Sequence, residues 1–159
     1  MIYGIQGVCT VLGTETKKID GRQVTYYVLT PIHQTNARFF VPTQNPSALA
    51  KIRKLISREE LELLLHSETL RQSIWIDDEN KRKTVYREWL ASGDRTKLLQ
   101  LVYTLYQRKK ALLETGKSLH QCDLSFLSDA QKLLNDEFSC VLEIPLPEVG
   151  NYLANIFEK

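Results

Sequence analysis

Val8-Cys9-Thr10-Val11-Leu12, then Thr16-Lys17-Lys18-Ile19-Asp20-Gly21, then Val24-Thr25-Tyr26-Tyr27-Val28-Leu29: this stretch decides the fold. The two flanking runs are rich in Val, Thr and Tyr, with period-2 patches bounded by turn residues, which predicts two strands over residues 8–12 and 24–29. Residues 16–21 between them read as a hairpin loop, with Asp20-Gly21 supplying the positive-φ turn chemistry. A third run, residues 37–41, stops at Pro42, whose missing N–H ends a strand or confines it to an edge.

Three or four short antiparallel strands in about 55 residues predict a small, strongly bent SH3- or Tudor-like barrel. Such a module buries little by itself and leaves open edges. After residue 56 the period changes. Ser57 with Glu60 three residues on is a capping box that opens a helix to about His66. Residues 67–77 carry no clean period and are expected to be a loop. A helix over 78–91 places Val85, Tyr86, Trp89 and Leu90 on one face, with Gly93 at its C′ position and Asp94 capping the next helix. That helix, 95–115, carries Leu98, Val102, Leu105 and Leu112 on one stripe, with Leu99, Tyr106 and Leu113 beside it. Asp123 is expected to open a helix to Leu142, with Phe126, Leu127, Ala130, Leu133, Leu134, Phe138 and Val141 inward. Pro147 suits the first turn of a last helix with Tyr152, Leu153, Ile156 and Phe157. The expected fold class is α+β: a β module over 1–56, then an all-α helical bundle over 57–159.

At 43% hydrophobic and 25% charged, the 159-residue chain has a globular composition. No apolar run approaches the roughly 18 residues that cross a bilayer, and no secretory signal is read at the start. Three cysteines, Cys9, Cys122 and Cys140, are odd in number and widely spaced, which fits reduced thiols in a cytoplasm. The net charge of +2 conceals blocks. Residues 81–117 hold ten Lys/Arg against three Asp/Glu, whereas 57–80 hold two against seven. The basic block suggests nucleic acid, set against the plain alternative of solvated helix faces.

Enzyme templates are weak. Gly4, Gly7 and Gly13 lack the spacing of a phosphate loop. His120 and Cys122 have no second pair of ligands nearby, so neither a metal nor a cofactor is expected. Asp77-Asp78-Glu79 fit the helix start that follows them. Binding signals are stronger. Lys81, Arg82, Lys83 and Arg87 sit on the early turns of one helix, and Arg108, Lys109 and Lys110 end the next. Antiparallel packing would gather them into one basic face suited to phosphate contacts. Trp89 falls on an apolar stripe and reads as core. Trp75 lies outside any stripe, either as a minor-groove wedge or stacking group, or as a cover for the junction of module and helices.

The chain resembles the CarD/CdnL family, whose N-terminal module is shared with transcription-repair coupling factors. The resemblance rests on Tyr3-Gly4-Ile5-Gln6-Gly7-Val8-Cys9, Glu15-Thr16-Lys17-Lys18-Ile19-Asp20-Gly21, Tyr26-Tyr27-Val28-Leu29 and Phe40-Val41-Pro42. Leu90-Ala91-Ser92-Gly93-Asp94, Leu105-Tyr106-Gln107-Arg108-Lys109-Lys110 and residues 130–138 extend it over nearly the whole chain. The resemblance implies a non-enzymatic bacterial transcription regulator. Its module would dock on the RNA polymerase β subunit by pairing an edge strand, through Lys17 and the strand Arg38-Phe39-Phe40-Val41. Its helical domain would contact promoter DNA, backbone and minor groove, through Lys81 and Arg82, and stabilise the open complex. Some relatives carry Arg where this chain has Phe40, with Arg38 two residues earlier on the same strand face. Their wedge Trp corresponds to Glu79, one helical turn after Trp75, and they begin with several more residues, which implies an altered first edge here. A cytoplasmic, polymerase-associated location and a monomer or weak homo-oligomer go with this reading. The competing reading is an adaptor whose helices bind another protein.

Overall fold

The computed structural model describes residues 1–159, all side chains but that of Ile5 included. The chain divides into two compact units, Met1–Leu55 and Ile56–Lys159, and its class is α+β.

The first unit is built on a sheet of β2 (Cys9–Ile19), β3 (Arg22–Pro31) and β4 (Phe39–Pro42), all antiparallel with β3 central. The expected hairpin loop at 16–21 contracts to a two-residue turn, so Thr16 to Ile19 belong to the strand. Asp20 (φ 47°) and Gly21 (φ 77°) both take positive φ, the condition for a type I′ turn whose twist matches its strands. That turn fixes the register: Ile19 faces Arg22, Lys17 faces Val24 and Glu15 faces Tyr26. A bulge between Val11 and Gly13 shifts the pairing near the base of the hairpin. The third strand starts at Phe39, two residues later than expected, and Pro42 is its last residue.

Two short elements were not anticipated. Asn45 caps α1 (Pro46–Leu49), its Oδ1 accepting from the Ala48 N–H. The N-terminal edge is present despite its few residues: β1 (Ile2–Tyr3) pairs with β5 (Ile52–Arg53). Cys9, Leu29 and Val41 form the module core, flanked by Met1, Tyr3, Phe39, Ala48, Leu49 and Ile52.

The second unit comprises α2 (Arg58–Leu65), α3 (Glu79–Ser92), α4 (Arg95–Glu114), α5 (Gln121–Leu142) and α6 (Leu146–Phe157). Both hydrogen bonds of the Ser57/Glu60 capping box are present. Asp78 and Asp94 cap α3 and α4, and Gly93 (φ 61°) closes α3 in the left-handed conformation. Leu61, Leu65, Leu98, Leu99, Leu105, Ala130, Leu134, Phe138 and Val149 lie at the centre of one continuous core. The apolar stripe of α4 runs out at its C-terminal end, where Leu113 is 62% exposed. Asp123 does not cap α5. His120 holds that position, and Asp123 sits inside the helix, buried.

Tyr86 lies in this core with its hydroxyl unpartnered among the described residues. Burial pushes the phenol up to about 12, and the neighbouring Arg82 charge offsets part of that rise. The unfolded chain therefore releases this proton near pH 10 while the folded chain keeps it, so stability falls as pH climbs from 10 to 12. Tyr86→Phe should remove roughly 2–3 kcal/mol of that alkaline loss, at about 1.4 kcal/mol per unit. Denaturant unfolding at both pH values checks this. Equal alkaline losses in the two proteins would refute it.

Candidate interaction surfaces

In the first unit, strand alternation separates the residues expected to dock. Phe39 and Val41 turn toward Leu29 and Cys9; Val41 is fully buried and offers no contact surface, and Phe39 is half-buried. Phe40 points the other way and is exposed. The Lys17 Nζ lies 3.6 Å from the centre of the Phe40 ring, and Tyr26 meets that ring edge-on at 6.2 Å. Lys17 reaches this place from a strand, not from a loop, because the tight turn sets it opposite Val24. Glu15, 3.9 Å from Lys17, borders the group, and Pro42 faces Tyr26 across the ladder. Arg38 is exposed and lies just before β4, not within it. β4 has a neighbour on one side only, which leaves a row of backbone donors and acceptors beside the Phe40–Lys17 pair.

Tyr26 and Pro42 were missed by the sequence reading. Their signal was the register that a two-residue turn imposes.

In the second unit the basic residues separate into two kinds. Arg82 is 3% exposed. Its Nε and Nη2 donate to the two Asp123 oxygens at 3.0 and 3.1 Å, and its Nη1 donates to the Ile76 carbonyl at 2.8 Å. Burial opposes the guanidinium charge, and the Asp123 carboxylate outweighs it, leaving Arg82 above its ordinary pKa. The expected DNA contact through Arg82 is therefore corrected: its donors are consumed internally.

Trp75 is half-buried against the core, not an open loop residue. Arg82 and Arg108 both lie over its ring, at 4.3 and 4.6 Å, and its Nε1–H donates to Asp77 Oδ1 at 2.9 Å. The segment 66–78 that carries it is anchored. The Ile74 N–H donates to Thr104 Oγ1 at 3.2 Å, Gln100 Nε2 donates to the Thr69 carbonyl at 2.8 Å, and Leu70 is buried. A ring so engaged cannot enter a base step without breaking these contacts.

The remaining cations face outward. Lys81, Arg87 and Lys109 are exposed. Lys83 pairs with Glu79 at 2.6 Å, and Lys110 pairs with Glu158 at 2.6 Å, so both reach solvent partly neutralised. Among the described residues no group of three His, Cys, Asp or Glu could hold a metal ion, and no helix is long and apolar enough to cross a membrane.

Residues 1–56 match the family model of the CarD-like/TRCF RID domain. The first unit is a CarD-like/TRCF RID domain. No curated protein matches the chain significantly. A RID domain has a Tudor-like fold and is a protein-interaction module, so this is an RNA polymerase-interacting, transcription-related protein. The short split sheet, the bulged hairpin and the β1–β5 pair are this chain's form of that fold.

Proposed function

We propose that this protein is a non-enzymatic bacterial transcription regulator that docks on the RNA polymerase β subunit through β4 and holds promoter DNA with its helical unit. The observation that carries the docking is the exposed Phe40, stacked with Lys17 and Tyr26, beside a strand edge with no neighbour. An edge strand supplies backbone hydrogen bonds to an added strand, and an exposed aromatic next to it supplies the anchoring contact. Lys17 and Arg38 add positive charge for an acidic counterpart.

For the helical unit, Lys81, Arg87 and Lys109, with Lys83 in a lesser role, are the phosphate contacts. Arg82 and Trp75 brace the segment that leads into α3. DNA contact of this kind is sequence-tolerant, and with polymerase docked at β4 it stabilises the open complex. The protein then resides with polymerase in the cytoplasm. Asp77, Asp78 and Glu79 flank Lys81 and favour the competing reading, in which the helices bind another protein.

Salt dependence separates the two. Each phosphate contact contributes about 0.9 to the slope of log K against log salt. The Lys81→Glu/Arg87→Glu variant should lose about two units of slope and roughly 100-fold in promoter affinity in the polymerase complex, and it should shorten open-complex lifetime. Unchanged affinity and lifetime would favour the adaptor.

A further inference from the structure

The β2–β3 hairpin outgrows the sheet that holds it. β4 covers β3 only from Tyr26 to Leu29, so the arm beyond is a two-stranded ribbon. On the far side of β2, Met1 pairs its backbone with Cys9, and after Cys9 all ten residues to Ile19 are exposed. Edges of this length invite added strands and are usually guarded by charge. The charges here, Glu15, Lys17 and Lys18, are of both signs.

We propose that this edge pairs with the same edge of a second copy, antiparallel and centred on Thr16. Backbone geometry limits the options. Outward-pointing N–H and C=O groups alternate along a strand, so bonded partners must both come from the outward set. In self-pairing, the central position is therefore a residue and not the gap between two. Centring on Glu15, Lys17 or Lys18 sets like charges face to face, which destabilises the pair. Centring on Thr16 sets Glu15 opposite Lys17 of the other copy, twice over by symmetry, with Thr16 opposite Thr16 and Thr14 opposite Lys18. Within one chain Glu15 and Lys17 approach only to 3.9 Å and both are exposed, so Glu15 is open to the second copy and Lys17 reaches it by leaving the Phe40 ring. This edge is the opposite one from β4, so self-pairing leaves the backbone edge of β4 open.

Sedimentation equilibrium of the full chain across a concentration series tests it. The expected mass rises from one chain toward two, and the rise weakens in about 1 M salt, where charge pairs are screened. Glu15→Lys and Lys17→Glu should each stay at the mass of one chain, because each sets like charges opposite. Mixed together they should restore the two-chain species, since lysines at 15 and 17 then face glutamates at 17 and 15. Failure of the wild type to exceed one chain, dimers of either variant alone, or no recovery on mixing would overturn the proposal. Polymerase binding is measured on the wild type only, because Lys17 also belongs to the proposed docking group. Its absence there would count against the docking reading and leave self-pairing to stand on the sedimentation result.

Discussion

Replacing Asp123 with alanine should destabilise the helical unit by about 3–5 kcal/mol, because it leaves the Arg82 guanidinium buried without its counter-charge. For a unit of this size that is a fall in Tm of roughly 12 °C or more. The change should also be visible optically, since Arg82 lies over the Trp75 ring and would no longer be held there. The reason the loss is large is the reason the pair itself need not be stabilising: two desolvated charges roughly offset one another, and one alone does not. Replacing both, as Arg82→Met with Asp123→Leu, should therefore recover most of the loss. Thermal unfolding of the wild type and the two variants checks this. A Tm change under about 2 °C for Asp123→Ala would mean that the pair is not buried as described.

Phe40→Asp should weaken binding to RNA polymerase by about 2–3 kcal/mol, roughly 30- to 150-fold, while leaving the fold intact. The adjacent Val41→Asp should instead unfold the module, because Val41 is fully buried while Phe40 is exposed. The contrast between neighbours is the informative part. If docking used a general hydrophobic patch, the two substitutions would differ only in degree. If it uses the outward face of β4, Phe40→Asp is a binding defect in a folded protein, and titration against polymerase with circular dichroism of each variant separates the cases. Equal polymerase affinity in Phe40→Asp and wild type would remove the Phe40 group from the interface.

Much of this architecture was legible in the sequence because its signals are local. Ser57 and Glu60, Asp78, Asp94 and Gly93 mark helix ends through bonds made within a turn of themselves, and those helices appear where the pattern puts them. The turn Asp20-Gly21 was visible too, but residues 16–19 were given to the loop. Taken as a two-residue turn, it would have placed Lys17 on a strand and Tyr26 beside it. What the sequence withheld was long-range pairing. Arg82 and Asp123 are 41 residues apart, and so is the difference between a surface cation in a basic run and a buried anchor. Glu137 likewise looked like one more acid on α5, yet it accepts from Arg95 and from the Ile56 N–H. Trp75 was singled out as a wedge or a cover, but its partner Arg108, 33 positions later, lay in a cluster read as solvent-facing.

In the docking proposed above, the RID unit meets the polymerase β subunit along the free edge of β4. Hydrogen exchange of the full chain, with and without the β subunit, tests it most directly, because added strand pairing slows exchange at the backbone amides it engages. New protection is expected in residues 39–43, with lesser protection around Lys17 and Tyr26. Unchanged exchange throughout residues 1–56 at saturating β subunit, or protection confined to the helical unit, would contradict it.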